Sequence, residues 1–234
     1  MQEQFELGKV TGVRVVLDGS FILTVILFMY SYVRTFDVDT ISFGFMFTCG
    51  VMLSVLIHEL AHAHMGRFCG VPATHVELNG LGGLCYFGGS RMKSVQTDVL
   101  ISMAGPLSNL MLWGLFYEAS LLAKSLPHSL GFVSGIYKLS YLCAAVASAN
   151  YWMFWFNMLP AFPLDGGNTL SALLSTGVSL PTARKTVAWL GMLVAAYCLY
   201  LGWPSNIWML IIAFYIFSRN SDVLSSYGPP PWQR

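Results

Sequence analysis

The sequence predicts an all-α polytopic membrane protein with about six transmembrane helices and a small strand-like, glycine-rich insertion after the second. Hydrophobic residues make up 56% of the 234 residues and charged residues only 10%, unlike the composition of soluble domains. Several apolar stretches also reach the length of about 20 residues that a helix needs to cross the hydrocarbon core. We therefore expect an integral membrane protein that lies within a lipid bilayer.

The apolar stretches predict four long spans and a final pair of shorter ones. The four spans are Val15–Phe36, Phe43–Phe68, Val99–Leu122 and Leu139–Leu159. The charge-free run from Thr186 to Ser218 contains the sequence GWPSN at Gly202–Asn206, whose glycine and proline should interrupt a helix. This run therefore predicts two helices of about 16 residues, each about 24 Å long.

The segment between the second and third spans has a different pattern. Its sequence, THVELNGLGGLCYFGGSRMKS at Thr74–Ser94, combines many glycines with alternating apolar residues, which is typical of short strands joined by turns. Lipid cannot satisfy an open strand edge, so this segment must be buried in protein or face water. We expect one membrane-embedded domain over residues 1–220 and a short disordered tail at 221–234.

The distribution of lysine and arginine predicts the orientation. With six crossings, nine basic residues fall on the side of the N-terminus and three on the other side. The nine are Lys9, Arg14, Arg67, Arg91, Lys93, Arg184, Lys185, Arg219 and Arg234, and the three are Arg34, Lys124 and Lys138. This excess favours a cytoplasmic N-terminus. The same count places the C-terminal end of the second span and the loop after the fourth span on the cytoplasmic face.

Charge and cysteine content exclude other classes of protein. The formal net charge of +1, without a clustered basic surface, gives no indication of a nucleic-acid partner. The five cysteines are odd in number, scattered and never paired as C-x-x-C. They therefore predict neither a disulfide framework nor a thiolate metal site.

The second span carries the residues with the clearest chemistry. In the sequence HELAH, His58 and His62 are four residues apart, so both imidazoles project from one helix face and can bind a single zinc ion. Glu59 lies beside the first histidine, where a carboxylate can act as general base on a water molecule. Ionisable residues within a membrane helix are costly to bury and normally carry function. This cluster therefore predicts one zinc site per chain, inside the membrane.

A catalytic zinc site needs a third protein ligand, and the second span does not supply it. His64 points about 200° round the helix from His62, so we expect it to be an interfacial or supporting histidine. The extended zinc-protease pattern H-E-x-x-H-x-x-G-x-x-H would need glycine and histidine where the chain has Met65 and Phe68. The third ligand must therefore come from elsewhere in the chain.

Asp165 is the preferred candidate for that ligand. It lies just past the fourth span in NMLPAFPLDGGN (Asn157–Asn168), where prolines stiffen the chain and Gly166 and Gly167 allow close backbone approach. Asp18, before the first span, is the rival, although a carboxylate there more often caps a helix. Asp98 has the same alternative reading before the third span. Two further candidates, His75 and Glu77, lie in the strand-like insertion and are expected to be exposed.

Three motifs in order resemble those of the site-2 protease family of intramembrane zinc metalloproteases. They are HELAH in the second span, AGPLSNL (Ala104–Leu110) in the third, and NMLPAFPLDGG after the fourth. The resemblance implies a bundle of membrane helices, with His58, His62 and Asp165 as zinc ligands and Glu59 as the catalytic base. It also implies membrane-anchored protein substrates that are cut within or near their transmembrane segments. Such a compact core favours a bacterial or archaeal cell membrane.

Further residues are candidates for substrate contact. Asn157 and Asn109 could donate hydrogen bonds near the scissile bond, although an interhelical hydrogen bond is the alternative for each. An exposed strand edge can hold an extended peptide by main-chain hydrogen bonds, and the sequence NGLGG is the candidate for this clamp. A simple turn between strands is the alternative there. The five residues of NGLGG are Asn79, Gly80, Leu81, Gly82 and Gly83.

Two other function classes remain open from the residues alone. A metal-ion transporter or other metal-binding membrane protein would need the same ligands, but it has no need of Glu59. An inactive scaffold that binds helices would not need the complete set of candidate catalytic residues. In the protease interpretation, a regulatory membrane partner could control access to the site.

Overall fold

The computed structural model describes residues 4–80, 82–88, 94–126 and 133–226, which contain four strands and seven helices. The strands are β1 (Gln4–Val10), β2 (Val13–Asp18), β3 (Ala73–Asn79) and β4 (Gly82–Phe87). The helices are α1 (Phe21–Val33), α2 (Val38–Phe68), α3 (Val95–Ser125), α4 (Val133–Asn157), α5 (Asp165–Leu174), α6 (Leu180–Gly202) and α7 (Ile207–Ser226). The described chain is therefore mostly helical, with a small sheet, as the sequence predicts.

Four of the described helices are long and apolar enough to cross a membrane, namely α2, α3, α6 and α7. Helix α1, with 13 residues, is apolar but shorter. The predicted count of six spans is thus not confirmed. The predicted break at Gly202–Asn206 is present, because α6 ends at Gly202 and α7 begins at Ile207. Both helices are longer than the predicted length, with 23 and 20 residues.

The start of the predicted first span is wrong. Residues 15–18 belong to β2, and α1 begins only at Phe21. The sequence VRVVLD is rich in β-branched valine, and a short apolar run of this kind can form a buried strand as well as a helix. Its partner decides the outcome, since β2 pairs in parallel with β3, far along the chain.

The sheet has the strand order β1-β2-β3-β4. Strands β1 and β2 form an antiparallel hairpin, and β3 and β4 form another, which is the predicted strand-like insertion. In the described chain β4 is the last strand of the sheet, so one of its edges has no strand beside it.

The chain divides into two compact units. The first comprises Met1–Ser90 and Ala104–Phe154, and the second comprises Arg91–Met103 and Trp155–Arg234. In the first unit, one face of α2 packs on the sheet through a buried apolar cluster. Its buried members are Val13, Leu60, Ala63, Val76 and Leu78. Because Leu60 and Ala63 lie within and beside HELAH, this packing fixes the rotation of the motif about the helix axis.

The second unit contains α5, α6 and α7, joined by two apolar clusters. The buried members are Ala161, Leu164, Ala195 and Ile216 in one cluster and Phe162, Val187 and Ala188 in the other. These clusters enclose the segment that leads into α5, at whose first position Asp165 lies. Helix α7 continues to Ser226, past the boundary expected at residue 220, and residues 227–234 of the expected tail lie outside the described residues.

Candidate metal centre

The two histidines of HELAH point at a common position. His58 and His62 are both buried in α2, and their Nε2 atoms are 3.2 Å apart. Two nitrogen ligands of a tetrahedral zinc ion, each at 2.0–2.1 Å, would be separated by about 3.3 Å. The spacing of the two imidazole nitrogens therefore fits one zinc ion.

Helix α3 passes close to these nitrogens at Gly105, in the AGPLSNL motif. A Cβ atom built on Gly105 would lie 2.5 Å from Nε2 of His58 and closer still to Nε2 of His62. The absence of a side chain at this position leaves room in front of both nitrogens. The AGPLSNL motif thus leaves space at the site, a role that the spacing of its residues does not indicate.

The other ring nitrogen of His58 is held by a buried amide. Nδ1 of His58 is 2.5 Å from Oδ1 of Asn109, and Nδ2 of Asn109 donates to Oδ1 of Asn150 at 2.9 Å. Asn109 therefore makes hydrogen bonds between helices, which was the alternative to a substrate contact, and one of its partners is the predicted zinc ligand His58. Asn150, in α4, was not a candidate from the sequence, because a lone amide in a membrane helix carries no motif.

Glu59 is buried beside His58 and lies against the sheet. A Cβ atom on Gly83, the second residue of β4, would overlap the Glu59 side chain. Burial, and secondarily the charge of Glu59, raise the pKa of the nearby Cys85 thiol to about 12. Strand β4 therefore begins directly against the predicted general base.

The predicted clamp is a hairpin turn followed by an edge strand. Asn79 ends β3 and pairs with Gly82, while Leu81 lies outside the described residues. Both backbone polar groups of Gly80 are hydrogen-bonded. Its N–H donates to Oγ of Ser20 at 2.9 Å, and its carbonyl accepts from Oγ1 of Thr24 at 2.7 Å. The start of α1 therefore fixes the turn in front of β4.

Asp18 has a structural role in this anchoring. It is buried at the end of β2, and its Oδ1 accepts hydrogen bonds from the backbone N–H of Ser20 at 2.9 Å and from the Ser20 hydroxyl. These bonds, chiefly the one from the hydroxyl, lower the pKa of the Asp18 carboxyl. Asp18 thus orients the serine that holds Gly80, and nothing in these contacts favours it as a ligand.

His64 is engaged away from the His58 and His62 nitrogens. Its Nε2 lies 2.7 Å from Oγ1 of Thr11, in the turn between β1 and β2. This contact agrees with the expected supporting position of His64 at the end of the span.

Asp165 is the first residue of α5, in the second unit. A carboxylate in the first helical turn is favoured by the helix dipole. The preceding segment is held by Asn220 of α7, whose amide donates to the carbonyl of Phe162 at 2.7 Å and accepts from its N–H at 3.1 Å. A Cβ at Gly166 would overlap the carbonyl of Met158, so the predicted close backbone approach is present.

The remaining candidates lie on different elements. Asn157 is the last residue of α4 and is partly buried. Asp98 lies in the first turn of α3, as the helix-terminal alternative predicts. Strand β3 contains Glu77 and His75, and the ring of His75 stacks on Tyr86 with centroids 4.5 Å apart.

A buried H-E-x-x-H pair on a helix is the arrangement that is typical of zinc metallopeptidases. Residues 46–139 match the family described as "Peptidase family M50". The chain is 25% identical over 226 residues to the zinc metalloprotease MJ0392 of Methanocaldococcus jannaschii, covering 93% of this chain and 59% of that protein. It is 28% identical over 163 residues to stage IV sporulation protein FB of Bacillus subtilis, covering 69% and 49% of the two chains.

The fold also matches a solved structure. The site-2 protease from Methanocaldococcus jannaschii superposes with a TM-score of 0.65 at 22% identity, covering 94% of both chains. Together the matches show that the chain is similar to part of the M50 peptidase family model and has the fold of a solved site-2 protease, and four of its described helices are long and apolar enough to cross a membrane. The chain spans about half to three fifths of the length of the two curated relatives named above.

Proposed function

We propose that this protein is an intramembrane zinc metalloprotease that hydrolyses peptide bonds within or near transmembrane segments of membrane protein substrates. The observation that carries the proposal is the arrangement on α2. Two buried imidazoles have their Nε2 atoms 3.2 Å apart, and a buried carboxylate follows the first of them in sequence. Burying three ionisable groups within one turn of an apolar helix is costly unless they bind an ion or carry out chemistry.

The proposed zinc ligands are His58, His62 and Asp165, with one ion per chain. Two imidazoles and one carboxylate are a common catalytic donor set, and they leave a fourth position open for water or substrate. His58 and His62 supply two of these donors from α2, and the resemblance of NMLPAFPLDGG to the family's motif supports Asp165 as the third. The named relatives, one of which is called a zinc metalloprotease, support the choice of zinc.

The residues of this chain suit peptide hydrolysis. A bound zinc ion supplies Lewis-acid polarisation of a carbonyl and lowers the pKa of water toward about 7. The Glu59 carboxylate takes the proton of the attacking water and passes it to the leaving amine nitrogen. Burial of Glu59 beside His58 keeps bulk water from competing for this proton.

The proposed substrate contact is the edge of β4, beginning at Gly82 and Gly83. A helical substrate hides its peptide groups, so the segment to be cut must unwind and can then pair with a strand edge. The proposal is supported by the contact of Gly83 with Glu59, since a peptide added to this edge would run past the general base. Ser20 and Thr24 would keep the turn at Gly80 in place while the peptide binds.

The two asparagines are assigned different roles. Asn157, at the end of α4, is proposed to donate to the substrate near the scissile bond. Asn109 is proposed to act on His58 instead, because its Oδ1 lies 2.5 Å from the ligand ring.

For the membrane arrangement, we propose six crossings, made by α1, α2, α3, α4, α6 and α7, with the N-terminus and the opening of the site on the cytoplasmic side. Single cysteines introduced at Thr11 and Thr35 in a cysteine-free variant test this proposal. A membrane-impermeant reagent should label Thr11→Cys from the cytoplasmic side of sealed vesicles and Thr35→Cys from the other. The reverse pattern would contradict it.

The experiment that tests the activity compares wild type with Glu59→Gln and Glu118→Gln. The two variants make the same chemical change, but Glu118 is exposed on α3. Zinc content and cleavage of a panel of tagged single-span membrane segments are measured with each purified protein in vesicles. We expect zinc in all three proteins and cleavage by wild type and Glu118→Gln only.

Other results would contradict the proposal. Equal cleavage by Glu59→Gln would remove the carboxylate from the mechanism. Zinc flux across the vesicle membrane without cleavage would favour a metal-ion transporter. The buried Glu59 argues against a transporter, because transport has no need of a carboxylate beside the ligands.

A further inference from the structure

A chain of buried side chains connects three helices and ends on His58. It consists of Ser54 in α2, Asn150 in α4 and Asn109 in α3, all within the first unit. Both asparagines are 0% exposed. The links are 2.9 Å from Nδ2 of Asn150 to Oγ of Ser54, and 2.9 Å from Nδ2 of Asn109 to Oδ1 of Asn150.

The direction of every hydrogen bond in this side-chain network follows from its Ser54 end. The hydroxyl of Ser54 donates to the carbonyl of Gly50 at 2.8 Å, so its oxygen can only accept from Asn150. Nδ2 of Asn150 also donates to the carbonyl of Val146 at 2.9 Å. Two acceptors therefore face the amide nitrogen of Asn150, and its Oδ1 must face Asn109.

The same logic carries through Asn109 to the imidazole. Asn109 has to present Nδ2 to Oδ1 of Asn150, which leaves its Oδ1 toward His58. A carbonyl oxygen accepts only, so Nδ1 of His58 must carry the proton. The lone pair of a neutral His58 then lies on Nε2, the nitrogen that faces Nε2 of His62.

We propose that Asn150, supported by Ser54, is a positioning residue that keeps His58 in its Nδ1-protonated tautomer and so prepares Nε2 to bind the ion. This inference rests on the proposed zinc site, although the tautomer itself is a property of the metal-free protein. Neighbours that orient a ligand histidine in this way typically change metal affinity by about 10- to 100-fold when they are removed.

The chain offers a matched control for the test. Ser54→Ala removes a hydroxyl that belongs to the network. The control, Ser140→Ala, removes a buried hydroxyl outside the network, which links α4 to α3 by donating to the carbonyl of Ser120 at 3.1 Å. The third variant, Asn150→Leu, replaces the amide by an apolar side chain of similar size. All three delete buried polar contacts between helices, so all are expected to lower thermal stability.

Two measurements on purified protein in detergent decide the question. Zinc affinity, from competition with a chelator, should fall about 10- to 100-fold in Asn150→Leu. It should fall by a smaller factor in Ser54→Ala and stay unchanged in Ser140→Ala. Nitrogen NMR of metal-free protein with labelled histidine should find the proton of neutral His58 on Nδ1 in wild type and on a mixture of both nitrogens in Asn150→Leu.

Each contrary result has a definite meaning. Unchanged zinc affinity in Asn150→Leu, together with a loss of stability like that of Ser140→Ala, would overturn the proposal and leave a structural role only. A wild-type His58 protonated on Nε2 would overturn it even if Asn150→Leu failed to fold. Wild type that binds zinc with the expected tautomer but cleaves no substrate would overturn the proposed protease function and leave this inference standing.

Discussion

Replacing Gly105 with alanine is expected to weaken zinc binding strongly without unfolding the protein. The added methyl carbon would lie 2.5 Å from Nε2 of His58, whereas non-bonded heavy atoms need about 3.5 Å. At least one imidazole must therefore move by about 1 Å, and the distances in a zinc site tolerate only about 0.2 Å. We expect zinc affinity to fall by about 100-fold or more, because the change displaces the ligands themselves and exceeds typical effects of supporting residues.

The assay is chelator competition on purified protein, with thermal unfolding measured in parallel. Gly114→Ala on the same helix is the matched control, because nothing lies within 4 Å of its added carbon. That variant should bind zinc like wild type and gain up to about 1 kcal/mol of helix stability. Zinc binding by Gly105→Ala with wild-type affinity would refute the reasoning that α3 leaves space for the ion at this position.

Three further predictions concern the surroundings of the site. Gly83→Ala should displace the Glu59 side chain and lower cleavage by about 100-fold while zinc content stays unchanged, so loss of zinc would contradict it. Asn220→Leu should lower the free energy of unfolding by about 2–4 kcal/mol, since it leaves two buried backbone groups of the segment before Asp165 unpaired, and an unchanged melting temperature would exclude this role. The Cys85 thiol, with its pKa raised to about 12, should alkylate slowly at neutral pH and faster in Glu59→Gln, which removes the secondary, charge-based cause of the shift. Peptide mass spectrometry measures that rate, and equal rates in both proteins would exclude an effect of the Glu59 charge.

The features that could be predicted from the sequence are those set by local chemistry. His58 and His62 share a helix face because the α-helix repeats every 3.6 residues, whatever surrounds it. Gly202 and Pro204 interrupt the last apolar run because their backbone chemistry disfavours a continuous helix. The hairpin of β3 and β4 follows from alternating residues and glycines in one short segment.

The features that were missed depend on partners far along the chain. Val13–Asp18 forms a strand because β3, about 60 residues later, offers a parallel edge, whereas the apolar pattern had predicted a membrane span from Val15 onward. Asn150 and Asn220 carry no motif, since an amide acquires its role only when a particular carbonyl or side chain from another helix lies within hydrogen-bond distance. Local periodicity thus selected the proposed zinc-binding face, whereas tertiary packing selected the residues proposed to orient it, because hydrogen bonds between helices depend on distances in space that sequence spacing does not determine.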